Sequence, residues 1–310
     1  MEEGRPSATA MTAARQRAAH MLWDDAPKIF QDPLALGLSG VESEDALQTT
    51  LAAMQAAHAR RSAPEVAEVN YKCARASMVV RQRYAEEALD EAVERGVGQY
   101  VILGAGLDSF AYRRPDLAAV LRVFEVDHPA TQQWKRARLR ELNVTLPSNL
   151  TFIPLDFEQH TLADGLHAGG HRSDVPTFFS WLGVTHYLTE EAVFNTLRYV
   201  ASLAAGTEIV FQYFVPESLW NDEDRPILTL WKTRRNAQGE PMEPVLSLFE
   251  PTILAIRVLE LGFTQVRDIG PQEADARYCA GRADGLRVYS HMHLMKARVG
   301  AAHRLNLDRD

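Results

Sequence analysis

The spacing of hydrophobic positions along this chain changes near residue 96. From Ala8 to Trp23, Ala, Met, Leu and Trp alternate with Arg and His in a helical stretch that Asp24-Asp25-Ala26-Pro27 ends. Residues 45–61 and 65–95 are again dominated by helix formers, and Val79, Ala85, Ala88, Leu89 and Val93 recur near a 3.6-residue period. Gly96-Val97-Gly98 breaks that helix. Gln99-Tyr100-Val101-Ile102-Leu103 is then a short run of β-formers that ends in Gly104-Ala105-Gly106, the pattern of a buried strand running into a tight turn.

Beyond the turn the two periods alternate. Strands are predicted at 121–126, 151–154, 177–181, 208–213, 264–267 and 286–295, with helices at 130–142, 190–203 and 251–261. Such alternation predicts βαβ units, and so an α/β fold with a mostly parallel, seven-stranded sheet covered on both faces. Residues 215–250, rich in Pro, Asp, Glu and Trp, break the rhythm and read as a lid insertion. No internal repeat or second core is visible. The expected organisation is a single domain over 1–310, with a helical cap over 1–95 and a Rossmann-like core over 96–297.

Composition narrows the function. The chain has 310 residues, with 33 basic against 41 acidic side chains and a formal charge of −8. It carries no dominant basic block of the kind nucleic-acid phosphates require, so no nucleic-acid partner is expected. Cys73 and Cys279 lie far apart without CxxC spacing or a neighbouring His ligand set, as expected of idle thiols in a reducing compartment. No charge-free apolar run reaches 18 residues and no signal-peptide core follows Met1. The expectation is a cytoplasmic protein that neither spans a membrane nor leaves through one.

In an open parallel sheet, ligands bind beyond the carboxyl ends of the strands where strand order reverses. Gly104 and Gly106 let the backbone turn tightly at that place. The second strand, Arg122-Val123-Phe124-Glu125-Val126-Asp127, ends in an acid 21 residues beyond Gly106, placed to accept both hydroxyls of a ribose. Asp108-Ser109-Phe110 stands where a pyrophosphate-binding loop carries its third glycine, and an acid there sits badly beside a pyrophosphate. The pattern favours a nucleoside without phosphates, such as S-adenosylmethionine, over a nicotinamide dinucleotide. A structural turn and a helix cap at Asp108 are the plainer alternatives, with Arg113 pairing a nearby acid to hold that turn.

Three runs, Gln99–Arg113, Phe124-Glu125-Val126-Asp127-His128-Pro129 and Phe178–Thr189, together with Phe30-Gln31-Asp32-Pro33, resemble the leucine carboxyl methyltransferase family. The resemblance covers roughly residues 20–297. It implies a class I methyltransferase fold, S-adenosyl-L-methionine as cofactor, and O-methylation of a hydroxyl or carboxyl of a small metabolite, as in secondary metabolism. A non-catalytic nucleoside binder and a protein C-terminal carboxyl methyltransferase are the alternatives. By the same resemblance Arg81 binds the cofactor's carboxylate, with Arg83 as the choice if the register shifts by two. Gly104 and Gly106 line the methionine portion, Asp127 takes the ribose hydroxyls, and Asp156 with Phe157 cover the adenine. Where protein-methylating members carry a Glu, this chain has Leu182, which argues against a protein acceptor.

His186 and Tyr213, just beyond the fourth strand and near the end of the fifth, are the candidates for catalysis, His186 as general base. Tyr187 is a candidate for orienting substrate, and Trp220 and Trp231 offer flat apolar surface to a ring-bearing one. His167 with His171, and His291 with His293 on one strand face, lack a third ligand at recognisable spacing, so no metal is expected. The expected partner is a small-molecule acceptor.

Overall fold

The computed structural model describes residues 7–60, 63–156, 161–231 and 243–300. Its centre is one sheet of seven strands: β1 (Gln99–Leu103), β2 (Arg122–Asp127), β3 (Leu150–Pro154), β4 (Thr177–Trp181), β5 (Glu208–Phe214), β6 (Phe263–Ile269) and β7 (Met292–Val299). They lie in the order β3-β2-β1-β4-β5-β7-β6. β7 runs antiparallel to both its neighbours and every other pair is parallel. The mostly parallel α/β sheet predicted from the alternation is thus the observed one.

Alternate residues of the central strands serve two cores. Tyr100, Ile102, Phe178 and Val210 pack in the layer of the long helix α4, which spans Pro64–Glu94 and follows α1 (Ala8–Trp23), α2 (Ala35–Leu38) and α3 (Glu44–Ala59). Val101, Leu103, Phe179, Trp181 and Phe211 pack on the opposite face. Each fully buried side chain of this size contributes roughly 1.5–3 kcal/mol. Pro64 opens α4 at a position where a missing N–H costs nothing, and Gly96 stops it at φ 95°. Ser7 caps α1 by accepting the Thr9 amide at 3.2 Å.

Short helices follow the strands: α5 (Phe110–Arg113) after β1, α6 (Pro129–Glu141) after β2, α7 (Leu162–Ala168) after β3 and α8 (Glu190–Ala201) after β4. The second core is closed by α8 and by α10 (Pro251–Glu260), through Val193, Leu197, Leu254 and Val258. Residues 215–250 divide. Their helix α9 (Arg225–Trp231) buries Ile227 and Leu228 in the α4 layer, and residues 232–242 lie outside the described set. Residues 243–249 run back along the exit of β4, where the Leu246 amide donates to the His186 carbonyl at 2.8 Å and Ser247 Oγ to that of Thr185 at 2.9 Å.

The last strand begins at Met292, six residues later than the sequence predicts. Side chains hold the preceding segment off the sheet: Ser77 Oγ accepts the Tyr289 amide at 3.1 Å, Asp224 the Ser290 amide at 2.5 Å, and Tyr289 donates its hydroxyl to the Asn70 carbonyl at 2.7 Å. The Val288 amide also donates to Asp275 of α11 (Pro271–Tyr278) at 2.8 Å, so this segment joins α4 and α11 through side-chain hydrogen bonds in place of a ladder. His291 and His293 also part company, the first beside Phe214 and the second bonded to Asp268. Among the described residues no group of three or more His, Cys, Asp or Glu could hold a metal.

Candidate functional site

Strand order reverses between β1 and β4, and beyond their carboxyl ends lies a cavity of about 380 Å³. The fold brings Arg81, Gly104, Gly106, Asp127 and Asp156 to its wall. α1 closes one side through Thr9, Ala10, Ala13 and Arg17, and Thr9 Oγ1 lies 3.5 Å from the Tyr187 hydroxyl across the mouth.

The glycines are required here. Gly104 has φ +67°, and a Cβ on it would stand 2.5 Å from Val184 Cγ2. Gly106 has φ +49°, and a Cβ there would stand 3.1 Å from the Cβ of Ala10 on the covering helix. A side chain at either position would fill the space that lets a ligand approach the backbone.

Asp127 ends β2 with both oxygens fixed: Oδ2 accepts the Gly106 amide at 2.5 Å and Oδ1 the His128 amide at 2.7 Å. Burial pushes its carboxyl above the usual range, and the two amides pull the other way. The carboxylate is thereby aimed at the cavity with lone pairs to spare, as two ribose hydroxyls would need. Asp108 is committed to the turn, accepting Gln82 Nε2 at 2.6 Å and the Phe110 amide at 2.7 Å, the capping use open to it from the sequence. Arg113 pairs with Glu86 and holds the same turn. Asp156 lines the cavity; Phe157 lies outside the described residues.

Arg81 is 7% exposed and sits on the buried face of α4. Its Nη1 donates to Gln212 Oε1 at 2.7 Å, and its Nε has no hydrogen-bond partner. Among the described residues it forms no ion pair. Burial, and then the neighbouring Arg17 guanidinium, pull its pKa down to about 10, so it stays cationic at neutral pH. A buried cation beside a cavity, bonded to a neutral amide at Nη1 and unbonded at Nε, has the charge and the donor that an anion would need. Arg83 points to solvent and pairs with Glu87 at 2.5 Å, so the register of Arg81 is the one that reaches the cavity.

Two residues of this wall carried no signal in the sequence reading. Arg17 donates Nη2 to the Leu107 carbonyl at 2.6 Å and Nε to Asp32 at 2.8 Å, but nothing in the pattern of α1 separates it from Arg15. Gly183 has φ +75°, and a Cβ on it would stand 2.7 Å from Arg81 Nη1. A glycine just past a strand end is the cue that could have marked it.

The structure does not bring the two catalytic candidates to the cavity wall. His186 is buried, stacked on Phe214 with ring centroids 3.9 Å apart and beside Tyr187 at 4.1 Å. Burial, then the Arg81 and His291 neighbours, hold its pKa well below the ordinary value, which makes it a poor proton acceptor. Tyr213 faces the second core, and its hydroxyl donates to Asp268 at 2.5 Å. Strand ends were legible in the sequence; which face a side chain takes just beyond one was not. The neighbouring Tyr187 is the aromatic that reaches the cavity. Trp220 donates its indole N–H to the Val215 carbonyl at 3.2 Å and bridges the two cores.

A Rossmann-like sheet with a glycine turn after β1, an acid ending β2 and a helical cap over the cleft defines a class, that of the S-adenosylmethionine-dependent methyltransferases. The sequence profile described as leucine carboxyl methyltransferase matches residues 10–201, and the chain belongs to that family. One relative is the Bacillus subtilis (strain 168) protein "Putative S-adenosyl-L-methionine-dependent methyltransferase YktD", 31% identical over 96% of this chain and 99% of its own length. A Streptomyces coelicolor relative of the same designation, SCO7813, is 33% identical over 64% of this chain and 65% of its own. Among solved structures, a DUF574 family protein from Streptomyces avermitilis superposes with a TM-score of 0.56 at 14% identity, over 93% of this chain and 97% of that one. At that identity the likeness is one of fold.

Proposed function

We propose that the protein transfers the methyl group of S-adenosylmethionine to a carboxylate oxygen of a small metabolite. The observation that carries the reading is the buried, carboxylate-free Arg81 facing the same cavity as the amide-fixed Asp127. The residues present fit the cofactor: Arg81 would grip its carboxylate, Gly104 and Gly106 leave room for the methionine portion, Asp127 would take the ribose hydroxyls, and Asp156 would face the adenine amino group. When bound, the cofactor supplies an electrophilic methyl on a sulfonium. The chain's own work is alignment and exclusion of water, with α1 and residues 243–249 beside the mouth.

A carboxylate acceptor is already ionised at neutral pH and needs no base, which suits a wall that lacks His186 and Tyr213 and whose one histidine among the described residues, His128, uses Nδ1 to cap α6 at 3.2 Å. Leu182 on the wall supports a small acceptor over a protein C-terminus. The free, buried Cys73 and Cys279 support a reducing compartment, which we take to be the cytoplasm; no described helix is long and apolar enough to cross a membrane. The test is transfer of labelled methyl to a panel of carboxylic acids and phenols. Label released as methanol by mild alkali marks a carboxyl ester and supports the reading. Alkali-stable label on phenols alone overturns the choice of acceptor, and saturable cofactor binding without transfer to any acceptor makes the protein a binder.

A further inference from the structure

The face of the sheet that carries α4 changes character at the end remote from the cleft. Along β7 the residues on this face pass from Met292 and Leu294 in the core to Lys296 and Arg298; along β6, in the opposite direction, they pass from Ile269 to Arg267 and Gln265. There a second cavity, about 250 Å³, opens between α4, α11 and the β6–β7 pair. Its wall holds five cations, Arg95, Arg267, Arg277, Lys296 and Arg298, against two carboxylates, Glu91 and Glu208.

The pairing inside this groove is lopsided. Glu208 is buried and serves three cations, with Arg95 at 2.6 Å, Lys296 at 3.5 Å and Arg298 at 3.6 Å. Lys296 is also paired with Glu91 at 2.8 Å, so these three cations share two carboxylates and keep an excess of one positive charge. Arg267 and Lys296 stand directly opposite each other on neighbouring strands, an arrangement that like charges oppose. Arg267 and Arg277 turn for counter-charge to Glu273 and Glu87, which are not part of the groove wall; both pairs are solvent-exposed and so weak. Between the cations the apolar surface comes from Tyr84 and Ala88 of α4, while Val266 and Ala297 line the groove with their backbone and turn their side chains to the other core.

We infer that this groove is a second ligand site, one that takes a small organic phosphate, its phosphate among Arg267, Lys296 and Arg298 and its apolar body against Tyr84 and Ala88. A phosphate relieves the cross-strand repulsion and supplies acceptors that several guanidiniums can share. The site is independent of the methyl-transfer reading, since no residue of its wall touches the cleft.

The test is calorimetric titration of the full chain with phenyl phosphate and with inorganic phosphate at fixed ionic strength, repeated in Arg81→Ala, which removes the anion receptor of the cleft. The expected result is one saturable site per chain for phenyl phosphate, unchanged in Arg81→Ala and about tenfold tighter than for inorganic phosphate. Arg267→Gln combined with Arg298→Gln weakens it at least about tenfold, and the largely exposed Arg267→Gln alone, which leaves Glu208 its three partners, weakens it about threefold. Three results would each overturn the inference: no saturation up to about 10 mM, loss of binding in Arg81→Ala, or binding unaltered by Arg267→Gln and the double variant. Equal affinity for the two anions would overturn the organic part of it.

Discussion

Arg81 carries a full positive charge into the cleft and depends on Gly183 for the room to do so. Gly183→Ala forces a Cβ against the guanidinium at a backbone conformation L residues resist. It is expected to destabilise the fold by about 1–2 kcal/mol and to weaken cofactor affinity about tenfold; thermal unfolding and calorimetry read the two effects separately, and unchanged affinity would mean that Arg81 does not hold the cofactor. His186→Gln is expected to change kcat less than about threefold, against the 10²–10⁴ a general base contributes. A loss of that larger size, with a shifted pH profile, would return His186 to the chemistry. At this scale the sequence was legible where function is written into backbone: two glycines and an acid at fixed spacing need no tertiary knowledge. Arg81 came into view only through resemblance, because one arginine on a long amphipathic helix looks like any other until the sheet it faces is known.

The elements that frame the cleft are tied by buried charge. Asp32, in the loop between α1 and α2, receives Arg17 of α1 at 2.8 Å and Arg113 of α5 at 3.8 Å, while Arg113 also pairs with Glu86 of α4. Burial works against the Asp32 carboxylate, but the two guanidiniums outweigh it and hold its pKa below the usual range. Asp32→Asn leaves Arg17 without its carboxylate and weakens the countercharge on Arg113, and is expected to cost about 3 kcal/mol in urea unfolding at neutral pH; a cost under about 0.5 kcal/mol would show that the cap is not anchored there. The strands and the longer helices were readable because β1, β4 and β5 are rich in β-formers and the end of α4 keeps a helical period, whereas the short helices α2, α5, α7, α9 and α11 carry too few turns to show one. The start of β7 was misplaced because Leu286–Tyr289 is as apolar as a strand yet gives its Val288 and Tyr289 amides to Asp275 of α11 and Ser77 of α4, which no local pattern records.

Across the whole molecule, an acidic chain of charge −8 still gathers cations where the fold requires them, at the cleft and at the groove behind it. Its response to acid depends partly on buried neutral histidines. Burial, and then Arg122, lower the pKa of His171 to about 4, so below pH ~6.5 the unfolded chain binds a proton that the folded chain refuses. The stability His171 contributes is complete above that pH and is lost as pH falls toward 4. His171→Gln is therefore expected to flatten the stability loss between pH 7 and 5 by about 2 kcal/mol, measured by denaturant unfolding; an unchanged slope would contradict the burial argument. The class of fold followed from alternation alone, whereas the closing of α1 over the cleft is a tertiary fact invisible to any window of sequence. The central claim, that this cleft holds S-adenosylmethionine through Arg81 and Asp127, is tested most directly by calorimetric titration of the wild-type chain beside folded Arg81→Ala and Asp127→Ala. One site per chain in the wild type, weakened at least about tenfold in each variant, is the predicted result; no binding by the wild type, or equal binding by all three, would contradict it.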